Sequence, residues 1–370
     1  MGPDLRAYRI MLSNQSQLLA RNLDLFEQGE WLIINPADAY FTDQLSDMSL
    51  EVLHQYFDIF SESVRVINSH SMDTRDVSQD PAGFGITQKV SKHIHTFSPF
   101  VTGERRFSDI LIYIPKAKHQ LKMLLTMAGS VLRNGGRIHL VGENKGGIKS
   151  AGKLAVDFGQ AQKVDSARHC SLITIDVENT PAFRIDDWLD ESTYQIDEFE
   201  WDIVSLPGVF SHTELDEGTR LLLSKLPSHL NGGILDFACG AGVIGAYLNK
   251  LQPHLKLTLL DVSALALFCA ARTMQANGLS GQLLAANGLH GVEDKFNHIV
   301  TNPPFHTGVK TDYSITKRFI SDAKRILLKD GTLHLVANRF LPYPGLLAEH
   351  FSQVRPLAQT TQFSVYLSLK

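Results

Sequence analysis

Short apolar runs alternate with helical segments along the second half of the chain, and this alternation constrains the fold most strongly. The runs have the length of buried strands, and the segments between them have the apolar spacing of helices. The predicted strands are Gly233–Phe237, Lys256–Leu260, Gln282–Ala286, Phe296–Thr301, Thr332–Ala337 and Phe363–Leu369. The predicted helices are Val243–Leu251, Ala264–Asn277 and Thr316–Leu328. Strands that alternate with helices form βαβ units, so an α/β fold with a largely parallel sheet is expected.

The first half of the chain repeats part of this pattern. Phe107–Pro115 resembles Phe296–Pro304, and Leu132–Val141 resembles Leu327–Val336. Because the second pair keeps the order of helix, stop and strand and the first pair keeps a strand that ends in proline, we predict an internal duplication with two tandem Rossmann-like domains. The first copy has no Gly-rich loop after any strand, so its domain is expected to be degenerate.

Charge is distributed unevenly along the 370 residues, which suffice for two domains. Residues 116–168 contain ten Lys or Arg and three acids, whereas residues 171–216 contain one Arg and twelve acids. We therefore predict a degenerate domain at 1–185, an acidic linker at 186–210 and a site-bearing domain at 211–370.

Several classes of protein are disfavoured by composition. The three cysteines are widely spaced and show no zinc-binding pattern, so no metal is expected. The chain has no apolar stretch long enough for a bilayer and no signal peptide pattern, which predicts a cytoplasmic protein with no membrane partner. A net charge of -4 argues against general nucleic-acid affinity but allows a local basic patch.

A Gly-rich turn follows the first predicted strand of the second half. Gly240 and Gly242 let the backbone turn sharply and approach a ligand, at a helix N-terminus with free N–H groups. Asp261 and Val262 follow the next strand, where a carboxylate can accept hydrogen bonds from ribose hydroxyls. Asn287, after the third strand, either binds an adenine amine or forms a turn. This pattern fits both a nicotinamide dinucleotide and S-adenosylmethionine.

Asp236, at the end of the first strand, indicates which of these two ligands is bound. A carboxylate near the loop suits the positive charges of S-adenosylmethionine and would repel a pyrophosphate.

A second distinguishing motif is Asn302-Pro303-Pro304-Phe305, at the end of the fourth strand. The Asn302 side-chain oxygen and the Pro303 carbonyl can both accept hydrogen bonds from one exocyclic amine. Pro304 helps to fix the turn, and Phe305 offers a ring on which a flipped base can stack. The motif therefore predicts methylation of a base amine.

These residues resemble the ribosomal RNA small subunit methyltransferase C family across nearly the whole chain. The resemblance is carried by Leu206–Ser211, Leu235–Gly245, Leu259–Ser263, Asn302–His306 and Val336–Pro344, with Val141–Asn144 and Lys163–Arg168 in the first half. It implies a degenerate N-terminal domain, an active C-terminal domain and methylation of guanine N2 in 16S rRNA, at guanine 1207. It also implies that Pro207–Ser211 forms a flap over the cofactor, which Phe210 lines.

The expected partner is 16S rRNA within the small ribosomal subunit, bound by a monomer. Four lysines of the basic run are predicted to contact the RNA backbone, namely Lys116, Lys118, Lys145 and Lys149. Three alternatives stay open at this stage: a 23S rRNA guanine-N2 methyltransferase with the same two-domain plan, a nicotinamide-dependent oxidoreductase, and a noncatalytic RNA-binding protein.

Overall fold

Parallel strands joined by helices form most of the structure, a computed structural model of the chain. It describes residues 12–27, 29–65, 67–79, 84–101, 103–210, 214–304 and 313–370. The chain divides into a first unit, residues 1–67 and 81–189, and a second unit, residues 68–80 and 190–370.

The first unit contains one eight-stranded sheet with helices packed against it. Its strands are β1 (Trp31–Ile34), β2 (Leu50–His54), β4 (Ile86–Val90), β5 (His93–Phe97), β6 (Phe107–Tyr113), β7 (Leu132–Glu143), β8 (Gly159–Ala167) and β9 (Cys170–Val177). Its helices are α1 (Asn14–Leu19), α2 (Phe57–Val64), α4 (Lys118–Val131) and α5 (Ile148–Ala155). Short 3₁₀ turns lie at Leu23–Leu25, Phe41–Leu45 and Ile185–Trp188.

The second unit contains another eight-stranded sheet and a separate hairpin. Its strands are β3 (Ser69–Asp73), β10 (Asp190–Ile196), β11 (Phe199–Ser205), β12 (Gly233–Phe237), β13 (Lys256–Asp261), β14 (Gln282–Ala286), β15 (Phe296–Thr301), β16 (Leu327–Asn338), β17 (Gln353–Gln359) and β18 (Phe363–Leu369). Its helices are α3 (Thr74–Gln79), α6 (Glu217–Leu223), α7 (Val243–Leu251), α8 (Ala264–Ala276), α9 (Tyr313–Ile326) and α10 (Tyr343–Ala348).

The two sheets have the same strand order, which confirms the predicted pair of tandem Rossmann-like domains. The first runs β4-β5-β2-β1-β6-β7-β9-β8, and the second runs β3-β14-β13-β12-β15-β16-β18-β17. In each sheet the five central strands are parallel and the outer strands are antiparallel. The outermost strand β3 comes from the segment at 68–80, an excursion of the chain that apolar patterning does not reveal.

The match extends to an irregularity in β7 and β16. Each strand loses register with its neighbour near its start, where Gly135 has a φ of 74° and Asp330 a φ of 61°. The predicted helix at Thr316–Leu328 accordingly ends two residues early, at Ile326, because Leu327 already pairs with Phe296 of β15.

Most of the segment predicted as an acidic linker is a folded hairpin, β10–β11, within the second unit. Trp201 is fully buried, and its ring packs edge-on against Tyr247, with centroids 5.0 Å apart. The backbone N–H of Val204 donates to Thr273 of α8. Acidic residues such as Glu200 alternate with these buried positions and face solvent, so the charge density hid a strand pattern.

No helix among the described residues combines the length and the apolar character that crossing a bilayer requires.

The shared bulge yields a stability prediction. Gly135→Ala should lower the free energy of unfolding by about 1 kcal/mol, because left-handed backbone is costly for a residue with a Cβ. No heavy atom lies within 4 Å of the Cβ position, so backbone strain alone would act. In the control, Gly152→Ala in α5, the Cβ would make an ordinary contact at 3.8 Å with Ile173 and should be neutral or stabilising. Urea unfolding that gives equal losses for both variants would contradict this account.

Candidate active site

The predicted site residues follow four neighbouring parallel strands. In the second sheet β14, β13, β12 and β15 lie side by side and run in one direction. Their carboxyl ends therefore meet at one edge, which is where ligands of open α/β sheets bind.

The turn after β12 has a left-handed backbone at three positions. Ala238, Gly240 and Gly242 have φ values of 57°, 54° and 77°. A Cβ on Gly242 would lie 3.1 Å from Ala270 of α8, so this glycine also permits close helix packing. A Cβ on Gly245 would lie 2.6 Å from the Leu259 side chain of β13, so a larger residue would force that side chain to move. The three glycines thus allow the turn to form and let the start of α7 pack closely against α8 and β13.

Asp261, at the end of β13, is fastened to this turn. Its Oδ2 accepts from the Gly240 N–H at 2.9 Å, and its Oδ1 accepts from the Ser263 N–H at 2.9 Å. Burial raises the pKa of Asp261, and these backbone N–H groups oppose that rise. The side chain and Val262 are half-buried, so the carboxylate keeps lone pairs that can accept from a ligand.

Asp236 lies beneath the turn and is fully buried. Its Oδ2 accepts from the backbone N–H of Gly245 at 2.8 Å, which ties β12 to the first turn of α7. Burial raises the pKa of Asp236 to about 7. This geometry supports a role for Asp236 in holding the Gly-rich turn. The attraction predicted between Asp236 and a positively charged ligand would have to act through the turn, because the carboxyl group is buried beneath it.

The predicted flap begins as a turn, in which the Val209 N–H donates to the Leu206 carbonyl. Phe210 is 62% exposed, and its carbonyl oxygen would lie 3.9 Å from a Cβ on Gly240. The backbone of Phe210 therefore lies beside the Gly-rich turn, while Ser211 lies outside the described residues. Asn287 follows β14 and is exposed at the same edge of the sheet.

Asn302 follows β15, next to the Gly-rich turn. The preceding residue, Thr301, donates from Oγ1 to the Phe237 carbonyl at 2.8 Å and locks the two strand ends together. Asn302 is half-buried, Pro303 is buried and Pro304 is exposed. Phe305, which we predict to stack on the base, lies outside the described residues.

Sequence reasoning missed two partners of Asn302. Its Nδ2 donates to Asp216 Oδ2 at 2.9 Å and to Thr219 Oγ1 at 3.0 Å. Both partners belong to the start of α6, where Asp216 also caps the helix by accepting from the Thr219 N–H. An Asp directly before a helical segment is a recognisable N-cap signal. Its link to Asn302 is invisible in the sequence because the two positions are far apart along the chain.

Cys239 is buried in the Gly-rich turn, where burial raises the pKa of its thiol well above the usual value. A thiol that holds its proton is a poor nucleophile, which fits a packing role. Within the described ranges, no group of three or more His, Cys, Asp or Glu side chains is arranged to hold a metal ion.

The corresponding edge of the first sheet is filled by protein. The pairing registers place His54 where the second unit has Asp261, and Tyr113 where it has Asn302. His54 is buried and lies 2.9 Å from His95 through their ring nitrogens, while the Tyr113 hydroxyl lies 2.9 Å from Ser16 of α1. Asn35 follows β1 in place of the Gly-rich turn. Among the described residues of the first unit, the strand ends that correspond to the Gly-rich turn, Asp261 and Asn302 therefore leave no open nucleotide site.

The four lysines predicted to contact RNA are all exposed in the first unit, at positions 116, 118, 145 and 149. Their extended side chains are available to a polyanion.

Two family models match the chain. The model described as methyltransferase small domain matches residues 200–367, and the model described as methyltransferase small domain N-terminal matches residues 81–192. The two matches fall on the two halves of the duplicated fold.

Curated relatives match over nearly the full length. A protein of Alteromonas mediterranea named ribosomal RNA small subunit methyltransferase C is 58% identical, over 96% of this chain and 99% of that relative. One of the same name from Pseudoalteromonas atlantica is 41% identical, with the same coverage of 96% and 99%. A solved structure, the T. thermophilus 16S rRNA N2 G1207 methyltransferase in complex with AdoMet and guanosine, superposes with a TM-score of 0.77. It is 21% identical and covers 97% of this chain and 92% of its own, a likeness of fold.

The buried Asp236 yields a pH prediction. An unfolded chain loses the proton of this carboxyl near pH 4, whereas the folded chain keeps it until about pH 7. The free energy of unfolding should therefore fall as pH rises between these values, by up to about 1.4 kcal/mol per pH unit. Asp236→Asn keeps an acceptor for the Gly245 N–H but cannot ionise. The free energy of unfolding of this variant should therefore fall less over the same pH range. Denaturant titrations from pH 4.5 to 7.5 test this, and parallel curves would contradict the buried-acid account.

Proposed function

Because the chain belongs to the ribosomal RNA small subunit methyltransferase C family, it is an S-adenosylmethionine-dependent methyltransferase, and we propose that it methylates the exocyclic N2 of a guanine in 16S rRNA. The observation that carries this proposal is the half-buried Asn302, placed beside the Gly-rich turn with its amide nitrogen already hydrogen-bonded. Family membership argues against the nicotinamide-dependent alternative.

The residues around the Gly-rich turn fit S-adenosylmethionine. Gly240 and Gly242 leave room for the methionine part, and Asp261 would hold the ribose hydroxyls through its remaining lone pairs. Phe210 would cover the ligand, and Asn287 would accept from or donate to the adenine edge. When bound, S-adenosylmethionine supplies a methyl group on a positively charged sulfur.

The chain itself contributes mainly positioning to the reaction. Asn302 Oδ1 and the Pro303 carbonyl would accept the two hydrogens of the guanine amine and aim its lone pair at the methyl group. Phe305 would hold the base by stacking. No proton acceptor stronger than these oxygens is needed to orient the amine.

The first unit would bind the RNA backbone. The strand ends that correspond to the candidate site carry buried side chains, and the four exposed lysines predicted to contact RNA lie in the basic run of residues 116–168. We propose that a cytoplasmic monomer recognises the rRNA within the small ribosomal subunit in this way.

Asn302→Ala tests the chemistry. Loss of one acceptor should lower the single-turnover rate of methyl transfer to small ribosomal subunits about 100-fold or more, the scale seen when a positioned polar group is removed. Affinity for S-adenosylmethionine, measured by calorimetry, should barely change. The matched control is Asn297→Ala, at the opposite end of β15, whose amide oxygen accepts from the Gly233 N–H. A parent-like rate for Asn302→Ala would refute the positioning role.

Charge reversal tests the RNA-binding surface. Lys145→Glu combined with Lys149→Glu should weaken RNA binding about tenfold and flatten its salt dependence, because fewer counterions are released. The control is Lys89→Glu combined with Lys92→Glu, two exposed lysines of the same unit outside the basic run. Filter binding across a range of salt concentrations separates the two pairs. Equal losses would mean that net charge, and not this surface, sets the affinity.

A further inference from the structure

The amide of Asn302 is held from one side by the start of α6. Asp216 Oδ2 receives the amide nitrogen at 2.9 Å, and Thr219 Oγ1 receives it at 3.0 Å. Thr219 is 4% exposed, and Asn302 and Asp216 are half-buried, so these contacts are partly shielded from water. Neither residue belongs to the Asn-Pro-Pro-Phe motif or to the Gly-rich turn.

We propose that Asp216 is a positioning residue for methyl transfer, which holds the Asn302 amide so that its Oδ1 faces the guanine amine. This inference rests on the proposed function and adds the residue that turns the acceptor oxygen of Asn302 towards the guanine.

The argument begins with the chemistry of the partners. An ionised carboxylate only accepts hydrogen bonds, so the amide must turn its nitrogen towards Asp216 and its oxygen away. If the amide flipped, two oxygens would face each other on one side, and an NH₂ group would face the NH₂ group of guanine on the other. Both contacts would repel, and the motif would cease to recognise an amine.

Asp216 is itself held in place. Its Oδ2 also accepts from the Thr219 N–H at 2.8 Å and from the Thr219 hydroxyl at 3.2 Å. A Cβ on Gly218 would lie 3.1 Å from this oxygen and 3.1 Å from the Phe363 ring of β18, so a larger residue there would crowd the Asp216 carboxylate. The start of α6 thus presents a fixed oxygen to Asn302.

The charge of Asp216 adds to this geometry. A carboxylate that accepts from the amide nitrogen pushes the amide's electrons towards Oδ1, which becomes a stronger acceptor. The guanine nitrogen gains positive charge as it bonds to the methyl carbon, so the contact with Oδ1 strengthens in the transition state. Loss of Asp216 should therefore lower the rate of the chemical step more than the affinity for RNA.

Single-turnover methyl transfer to 16S rRNA in small ribosomal subunits measures these effects. Asp216→Ala should slow transfer about 100-fold. Asp216→Asn keeps a carbonyl acceptor but loses the charge and should slow it about tenfold. Thr219→Val keeps the shape and loses one acceptor, and should have a smaller effect. The RNA concentration for half-maximal rate and the affinity for S-adenosylmethionine should stay within about twofold of the parent.

A double-mutant cycle separates positioning from a general structural role. If Asp216 acts through Asn302, adding Asp216→Ala to Asn302→Ala should slow transfer no further. An equal slowing by Asp216→Ala in both backgrounds would overturn the inference, as would a parent-like rate for Asp216→Ala. A parent protein that transfers no methyl to 16S rRNA would instead contradict the proposed function itself.

Helix capping is controlled independently. Asp216→Ser keeps a capping hydroxyl for α6, but its shorter side chain does not reach the Asn302 amide. This variant should therefore be as stable as the parent protein but transfer methyl more slowly. Ser13→Ala removes a comparable cap, on α1 of the first unit, and should leave the rate unchanged. A parent-like rate for the stable Asp216→Ser variant would also overturn the inference.

Discussion

Two carboxylates fasten the turn after β12, and the candidate site depends on these contacts. Asp261 holds the backbone of Gly240 from the neighbouring strand, and Asp236 holds that of Gly245 from below. A turn with several left-handed residues is costly unless its N–H groups are paired. Each oxygen of the half-buried Asp261 accepts one of these backbone hydrogen bonds and keeps a further lone pair, so one set of contacts both builds the turn and leaves acceptors for a ligand.

The duplicated first unit shows what happens when these contacts are replaced. Its sheet keeps the strand order, the bulge and the antiparallel edges, which are properties of packing. The site positions have changed to side chains that fill space, such as His54 and Tyr113, both buried. A fold can therefore persist after its site is lost, since the core and the strand-end residues are set by different side chains.

Asn302 illustrates how a motif depends on residues outside it. The motif supplies an amide at the correct strand end, but an amide can present either its oxygen or its nitrogen. The neighbouring Asp216 resolves that choice, because a carboxylate accepts only from the nitrogen. The orientation of the Asn302 amide is thus set by Asp216, a residue that also caps and stabilises α6.

The sequence alone determined the parallel α/β class, the duplication and the strand ends of the second half, because apolar periodicity and glycine placement are local properties. It also predicted a site at Gly240, Asp261 and Asn302, whose spacing follows from the strand–turn–helix order, and the structure brings all three to one edge of the sheet. The hairpin at Asp190–Ser205 was concealed by its outward-facing acids, and the addition of β3 to the second sheet joins segments that are distant along the chain. Only the tertiary structure decided that Asp236 is buried and that Asp216 meets Asn302, since burial and long-range hydrogen bonds depend on how the elements pack.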